Sequence, residues 1–189
     1  MALTIPKSLS MTMLISIFCI ITSLTRISAR KHPDFNLADE KKTHLCFYFH
    51  HVASGQDPTA VQIASAQSSA NSPTKFGIVL MIDEPLTVSP DIRSMPVGRA
   101  EGIYGSASKD EVALVMAFNI VFDQGTYNGS TLALLGRNCI YSTGVREMPV
   151  VGGTGKFRFA RGYDLLKTHS FNTTSGDAVV EHNIFIVYY

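Results

Sequence analysis

The residues best able to do chemistry in this sequence are its six histidines, the paired carboxylates Asp83-Glu84, and the run Gly152-Gly153-Thr154-Gly155-Lys156. The glycine run invites a phosphate-loop reading, which needs Gly, four residues, then Gly-Lys followed by Ser or Thr. Here the first glycine is replaced by Val150, and Phe157 follows the lysine where a magnesium-binding hydroxyl should stand. Beyond it, Phe157, Phe159 and Arg161 alternate with Lys156, Arg158 and Ala160, a strand period rather than a helix start. The glycines therefore predict a tight turn, for which they supply positive φ.

The histidines do not make a metal site. His50 and His51 are neighbours, so on a strand they point to opposite faces. His44 and His50 share a face but lie too far apart for one ion, and no paired cysteines or clustered carboxylates complete a set. A Gly-x-Ser-x-Gly elbow, a redox cysteine pair and a haem motif are all missing from the sequence. No metal or cofactor is expected, and any oxidation would need a separate agent. What remains is a set of polar groups suited to a pocket: His51, Asp83, Tyr104, Asn138 and Arg146. Asp83 and Glu84 should diverge, so Asp83 either faces a cavity or serves the turn before Pro85. Arg146 either lines the pocket or pairs with Glu147 at the surface.

Strands must position these groups. Strand-like runs fall at 45–51, 76–82, 97–105, 112–122, 130–137, 157–161, 163–171 and 178–188, separated by turn clusters such as Asp83-Glu84-Pro85. No helical period follows the N-terminal leader. Many short strands with short connections predict an all-β fold, and about eight suit a small closed antiparallel barrel able to hold one small ligand. The stretch 53–74 is expected to be a loop. Along 112–122 both faces are apolar, and a second subunit is the simplest cover for the outer one, a loop of the same chain being the alternative.

The chain has 189 residues and a formal net charge of +1, which gives no electrostatic ground for binding nucleic acid or a membrane. Residues 1–29 read as a secretory signal, with Lys7, an apolar run and a small-residue cleavage site at Ile27-Ser28-Ala29. Residues 30–43 form a polar arm, and 44–189 the domain. Asn128-Gly129-Ser130 and Asn172-Thr173-Thr174 are glycosylation acceptors in turn-like settings. Cys46 and Cys139 remain after the leader, too few for a disulfide framework, and Cys46 is expected to be a buried free thiol.

Taken together, "IDEPLTVSPDIRSMPVGRAEGIYGSAS", "YNGSTLALLGRN" and "VREMPVVGGTGKFRFARGYDLLKTHSF" resemble the plant dirigent proteins, over about 45–188. The resemblance implies a secreted, apoplastic eight-stranded antiparallel barrel, commonly trimeric, with one pocket per subunit. It makes 152–155 the turn into a barrel strand, with Phe157 and Phe159 packed on one face. It implies that the pocket orients phenoxy radicals of monolignols, such as coniferyl alcohol, made by an external oxidase (laccase or peroxidase). Pocket acids then assist ring closure of a quinone methide. Some members are instead dehydratases that turn isoflavanols into pterocarpans, which here would use Asp83 or a protonated His51 as acid, with Tyr104 or Arg146 on the phenol. A third possibility is a wall or defence protein that only binds ligands. Tyr104 and Arg146 match family positions. The family's His-Asp pair reads His50-His51, a second pocket Asp is replaced by Asn138 or Cys139, and the disulfide cysteines of some members are missing.

Overall fold

Alternation of apolar and polar residues carries through to nine strands in the computed structural model, which describes residues 37–142 and 144–189. The leader and the first half of the arm, 30–36, lie outside the described residues. The strands are β1 (Lys41–His51), β2 (Ala60–Ser65), β3 (Ile78–Thr87), β4 (Pro96–Ser106), β5 (Ala113–Phe122), β6 (Thr131–Cys139), β7 (Arg146–Thr154), β8 (Arg161–Phe171) and β9 (Ala178–Tyr188). They pair antiparallel in the order β1-β9-β8-β7-β6-β5-β4-β3-β2, and a further β1–β3 pairing closes the ring. Eight strands, β1 and β3 to β9, thus form the barrel, while β2 extends the edge of β3.

Several boundaries differ from the sequence reading. The stretch 157–161 is not a strand: Gly155–Phe157 is a single 3-10 turn, and Gly155 has φ of 61°. The strand belongs earlier, at β7, whose outward Pro149 and two terminal glycines blur its alternation. Phe157 is buried, but Phe159 sits in a positive-φ turn and is exposed, so the two do not share a packed face. The expected loop 53–74 contains β2 and a 3-10 turn at Gln67–Asn71. Cys46 is exposed because Phe47 and Phe49 take the interior positions of β1. β1 begins at Lys41, three residues inside the expected arm.

The most consequential difference is at Asp83-Glu84-Pro85, which is not a turn but the middle of β3. There β3 changes partner on one edge, pairing with β2 up to Ile82 and with β1 from Leu86. Pro85 falls between those pairings, where its missing N–H leaves no ladder bond unmade.

The interior has two unlike ends. At the base, Phe122, Tyr127, Phe157 and Tyr188 pack ring on ring with centroids 4.7 to 5.9 Å apart, above Ile120 and Leu132. At the other end, the mouth, the inward residues are largely polar.

Candidate functional site

Strand parity places the mouth residues. On β1, Phe47, Phe49 and His51 face inward, and Phe49 lies opposite Leu86 of β3. Two residues on, His51 meets Glu84 across the β1–β3 seam, with Nδ1 2.7 Å from Glu84 Oε1. The Glu84 side chain is fully buried, whereas 16% of the His51 side chain is exposed. The second Glu84 oxygen accepts the hydroxyl of Thr59, from the chain leading into β2. The carboxylate is thus held on both oxygens, as a buried charge requires. Because Nδ1 of His51 is committed to Glu84, Nε2 is the ring nitrogen left for a ligand.

Tyr104 on β4 brings its ring edge-on to His51, with centroids 5.8 Å apart. Burial, and next the Glu84 charge, push its hydroxyl up to about pKa 12, so Tyr104 stays a neutral donor at physiological pH. Glycine at 102, one inward step from Tyr104, lets β5 approach: a Cβ there would lie 2.7 Å from the Cβ of Phe118.

Across the lumen, Asn138 of β6 and Arg146 of β7 are both buried. Arg146 Nη1 donates to the Thr168 hydroxyl at 2.7 Å and, at 3.5 Å, to the Ile140 carbonyl. Burial lowers its pKa, opposed by Cys139 and Asp164. Among the described residues Asn138 Nδ2 reaches only the sulfur of Met116, at 3.3 Å. Asn138 Oδ1 and Arg146 Nε have no partner among the described residues, and buried polar atoms are rarely left so without a reason. A ligand with hydroxyl groups would supply the missing partners.

Four of the five expected pocket residues, His51, Tyr104, Asn138 and Arg146, therefore face the interior, and Arg146 does not pair with Glu147. Asp83 does not join them. It projects outward, paired with the Arg99 guanidinium, and its carbonyl accepts from Arg99 Nη2 at 2.7 Å. Since neighbours on a strand alternate, the interior place belongs to Glu84, which the turn reading of Asp-Glu-Pro concealed. Thr168 and a deeper pair, Asp164 and His182, were also missed; only the alternation of β8 and β9 could have signalled them. Cys139 points outward to Glu111. Asn128 and Asn172 both lie exposed in surface turns. Beside the rim, a cavity of about 530 Å³ opens between the β3–β4 connection and the ends of β1, β8 and β9. His50 lines it but is buried and bonded to Thr87 at 2.6 Å. Among the described residues no cluster of three metal-ligating side chains occurs.

Known proteins match this chain in sequence and fold. The family model described as "Dirigent-like protein" matches residues 42–187. Dirigent protein 21 of Arabidopsis thaliana is 54% identical over 147 residues, covering 78% of this chain and 77% of the relative. Pterocarpan synthase 1 of Glycyrrhiza echinata is 50% identical over 151 residues, 80% of each chain. The solved structure of a pterocarpan synthase dirigent protein superposes with a TM-score of 0.76 at 49% identity, covering 82% of this chain and 89% of that one.

Proposed function

This chain belongs to the dirigent family, and from that premise we propose that its barrel binds a phenolic substrate at the mouth and controls the fate of a quinone methide there. The observation that carries this reading is the Glu84-backed His51 beside the neutral hydroxyl of Tyr104. Two reactions pass through such an intermediate, and the site favours the loss of water from an isoflavanol. That reaction needs an acid at the departing hydroxyl and donors that orient the phenol.

In this reading a protonated His51 gives its Nε2 proton to the benzylic hydroxyl, the C–O bond breaks and water departs. The conjugated phenol loses its proton, leaving a neutral quinone methide. A second phenolic hydroxyl of the same molecule then adds to the freed carbon, and the protons return to the phenol oxygen and to His51. Glu84 stabilises the imidazolium, while Tyr104, Asn138 and Arg146 hold the oxygens. One water is lost overall, and no oxidant is consumed.

The second reading is direction of phenoxy radical coupling, with radicals of a monolignol supplied by an external oxidase. It is favoured by the Arabidopsis relatives whose names are dirigent protein, 54% and 48% identical for two of them. Confinement would then supply the geometry, and the same acid–base groups would assist ring closure. Incubation with an isoflavanol alone, and with coniferyl alcohol with and without a one-electron oxidant, followed on a chiral column, separates them. Oxidant-free pterocarpan supports dehydration; an optical excess of coupled product only with oxidant supports coupling. Failure of both leaves ligand binding without turnover.

Secretion through the leader, glycans on Asn128 and Asn172, and assembly as a homotrimer complete the proposal. Assembly is supported by an outer row, in register across five strands, of Val61, Met81, Ile103, Ala117 and Leu135. Four of the five are 40–50% exposed, an apolar stripe that a second copy would cover.

A further inference from the structure

Below the mouth the barrel holds a second acid–base pair. Asp164 of β8 and His182 of β9 both face inward, with Nδ1 of the ring 2.5 Å from Asp164 Oδ2. They are 0% and 2% exposed. Their surroundings are apolar: the Phe47 ring lies parallel to His182 at 5.6 Å, Phe49 lies tilted at 5.4 Å, and Phe118 presents its edge at 6.5 Å from the opposite wall. Met148 and Ile184 flank Asp164 in register. Among the described residues Asp164 Oδ1 has no hydrogen-bond partner.

Packing does not call for such a pair. Apolar residues of similar volume in place of a buried ion pair are often neutral or stabilising, and an unpaired carboxylate oxygen in an aromatic shell is unfavourable. The chemistry it suits is proton acceptance. A carboxylate on Nδ1 fixes the imidazole's orientation and tautomer and turns Nε2 toward a proton-bearing group. The position also fits. Leu166 lies between His182 and Arg146 in register, so the pair shares an inward row with Arg146, whose Nε has no partner among the described residues. His182 pairs with Phe47, four residues from His51, a separation of about 13 Å at the usual strand rise. With a hydrogen bond at each end, that span suits one ring system carrying a phenol on one side and a benzylic hydroxyl on the other.

We infer that Asp164 and His182 form a second ligand site at the buried end of the lumen, binding a phenolic hydroxyl and accepting its proton. The binding half stands on the geometry alone; the proton-transfer half rests on the dehydration reading. In that reaction His51 supplies the proton that leaves with the hydroxyl as water, while His182 Nε2 takes the proton of the conjugated phenol. Ring closure reverses both: the imidazolium of His182 returns its proton to the phenol oxygen, and the incoming hydroxyl's proton goes to His51. Both histidines end as they began.

The test compares two probes by calorimetry: an isoflavanol with a free phenol on the ring bearing the leaving hydroxyl, and its methyl ether at that oxygen. Wild type should bind the free phenol about 10-fold more tightly, as expected for one hydrogen bond to a carboxylate-backed acceptor. In Asp164→Leu/His182→Phe, which preserves packing, the two probes should bind alike, and oxidant-free dehydration should slow by about 100-fold or more. Should that variant not fold, Asp164→Asn/His182→Phe keeps a polar group beneath the ring and is read in the same way. Preference for the phenol that survives these substitutions, or no preference or no binding in wild type, overturns the inference. A preference that is lost as expected, in a wild-type protein that dehydrates nothing, sustains the binding site and refutes the dehydration reading instead.

Discussion

The two ends of the barrel are built by the same strands yet follow opposite rules. At the base, Phe122, Tyr127, Phe157 and Tyr188 fill the lumen ring against ring, and Phe157 is wholly buried. At the mouth the same alternation delivers Glu84, His51, Tyr104, Asn138 and Arg146, two of which keep polar atoms without partners. The base is packed closed within the chain, whereas at the mouth Asn138 Oδ1 and Arg146 Nε have no partner among the described residues. Stability should therefore reside at one end and activity at the other.

The largest separation of the two should come from Phe157→Ala. Truncating a buried aromatic costs about 3–5 kcal/mol and should lower the melting temperature by about 10 °C or more. Calorimetry and turnover on the folded fraction would show stability lost and activity per folded molecule kept. At the mouth, Tyr104→Phe should do the reverse, cutting turnover by about 10-fold with little change in melting. The same tyrosine sets an alkaline signature. Its pKa is raised from 10.0 to about 12 in the folded chain, so the unfolded chain releases that proton first. Its contribution to stability is complete below about pH 10 and declines toward about pH 12. Denaturation of wild type and Tyr104→Phe across that window should show a steeper decline in wild type, since Tyr48 and Tyr188, whose pKa values are also raised, remain in both.

A third contrast lies on the outside. A charge in the exposed apolar row, Leu135→Asp, should convert the proposed trimer to monomer in light scattering while leaving far-ultraviolet circular dichroism unchanged. The smallest effect belongs to Asp83→Asn, which removes an ion pair with both side chains well exposed, 39% for Arg99 and 59% for Asp83. Exposed pairs are worth about 0–1 kcal/mol, and turnover should not move. A large loss of activity there would return Asp83 to the site.

The contrast between the ends also marks what the sequence could and could not convey. A small barrel of about eight strands was legible, because period-2 runs with short turns survive even where single boundaries slip. Tyr104 and His51 were legible as polar residues on expected strands, Asn138 and Arg146 only as polar residues outside them. Glu84 was not, because Asp-Glu-Pro has the composition of a turn, and only the exchange of partners along β3 explains a proline there. Asp164 and His182 were hidden for a different reason. They belong to separate strands, and their meeting depends on the β8–β9 register, which no local pattern encodes. Cys46 and Phe159 went astray by parity: one residue along a strand or into a turn exchanges inside for outside.

The central claim, that a Glu84-backed His51 makes the mouth an acid–base site, is tested most directly by Glu84→Gln. This change keeps the side chain's shape and a hydrogen-bonding group near His51 and Thr59 but removes the charge that stabilises an imidazolium. Steady-state turnover of an isoflavanol without oxidant, measured beside wild type, should fall by about 100-fold or more while the melting temperature falls less than in Phe157→Ala. Wild-type turnover in Glu84→Gln would contradict the claim and leave the mouth a binding surface alone.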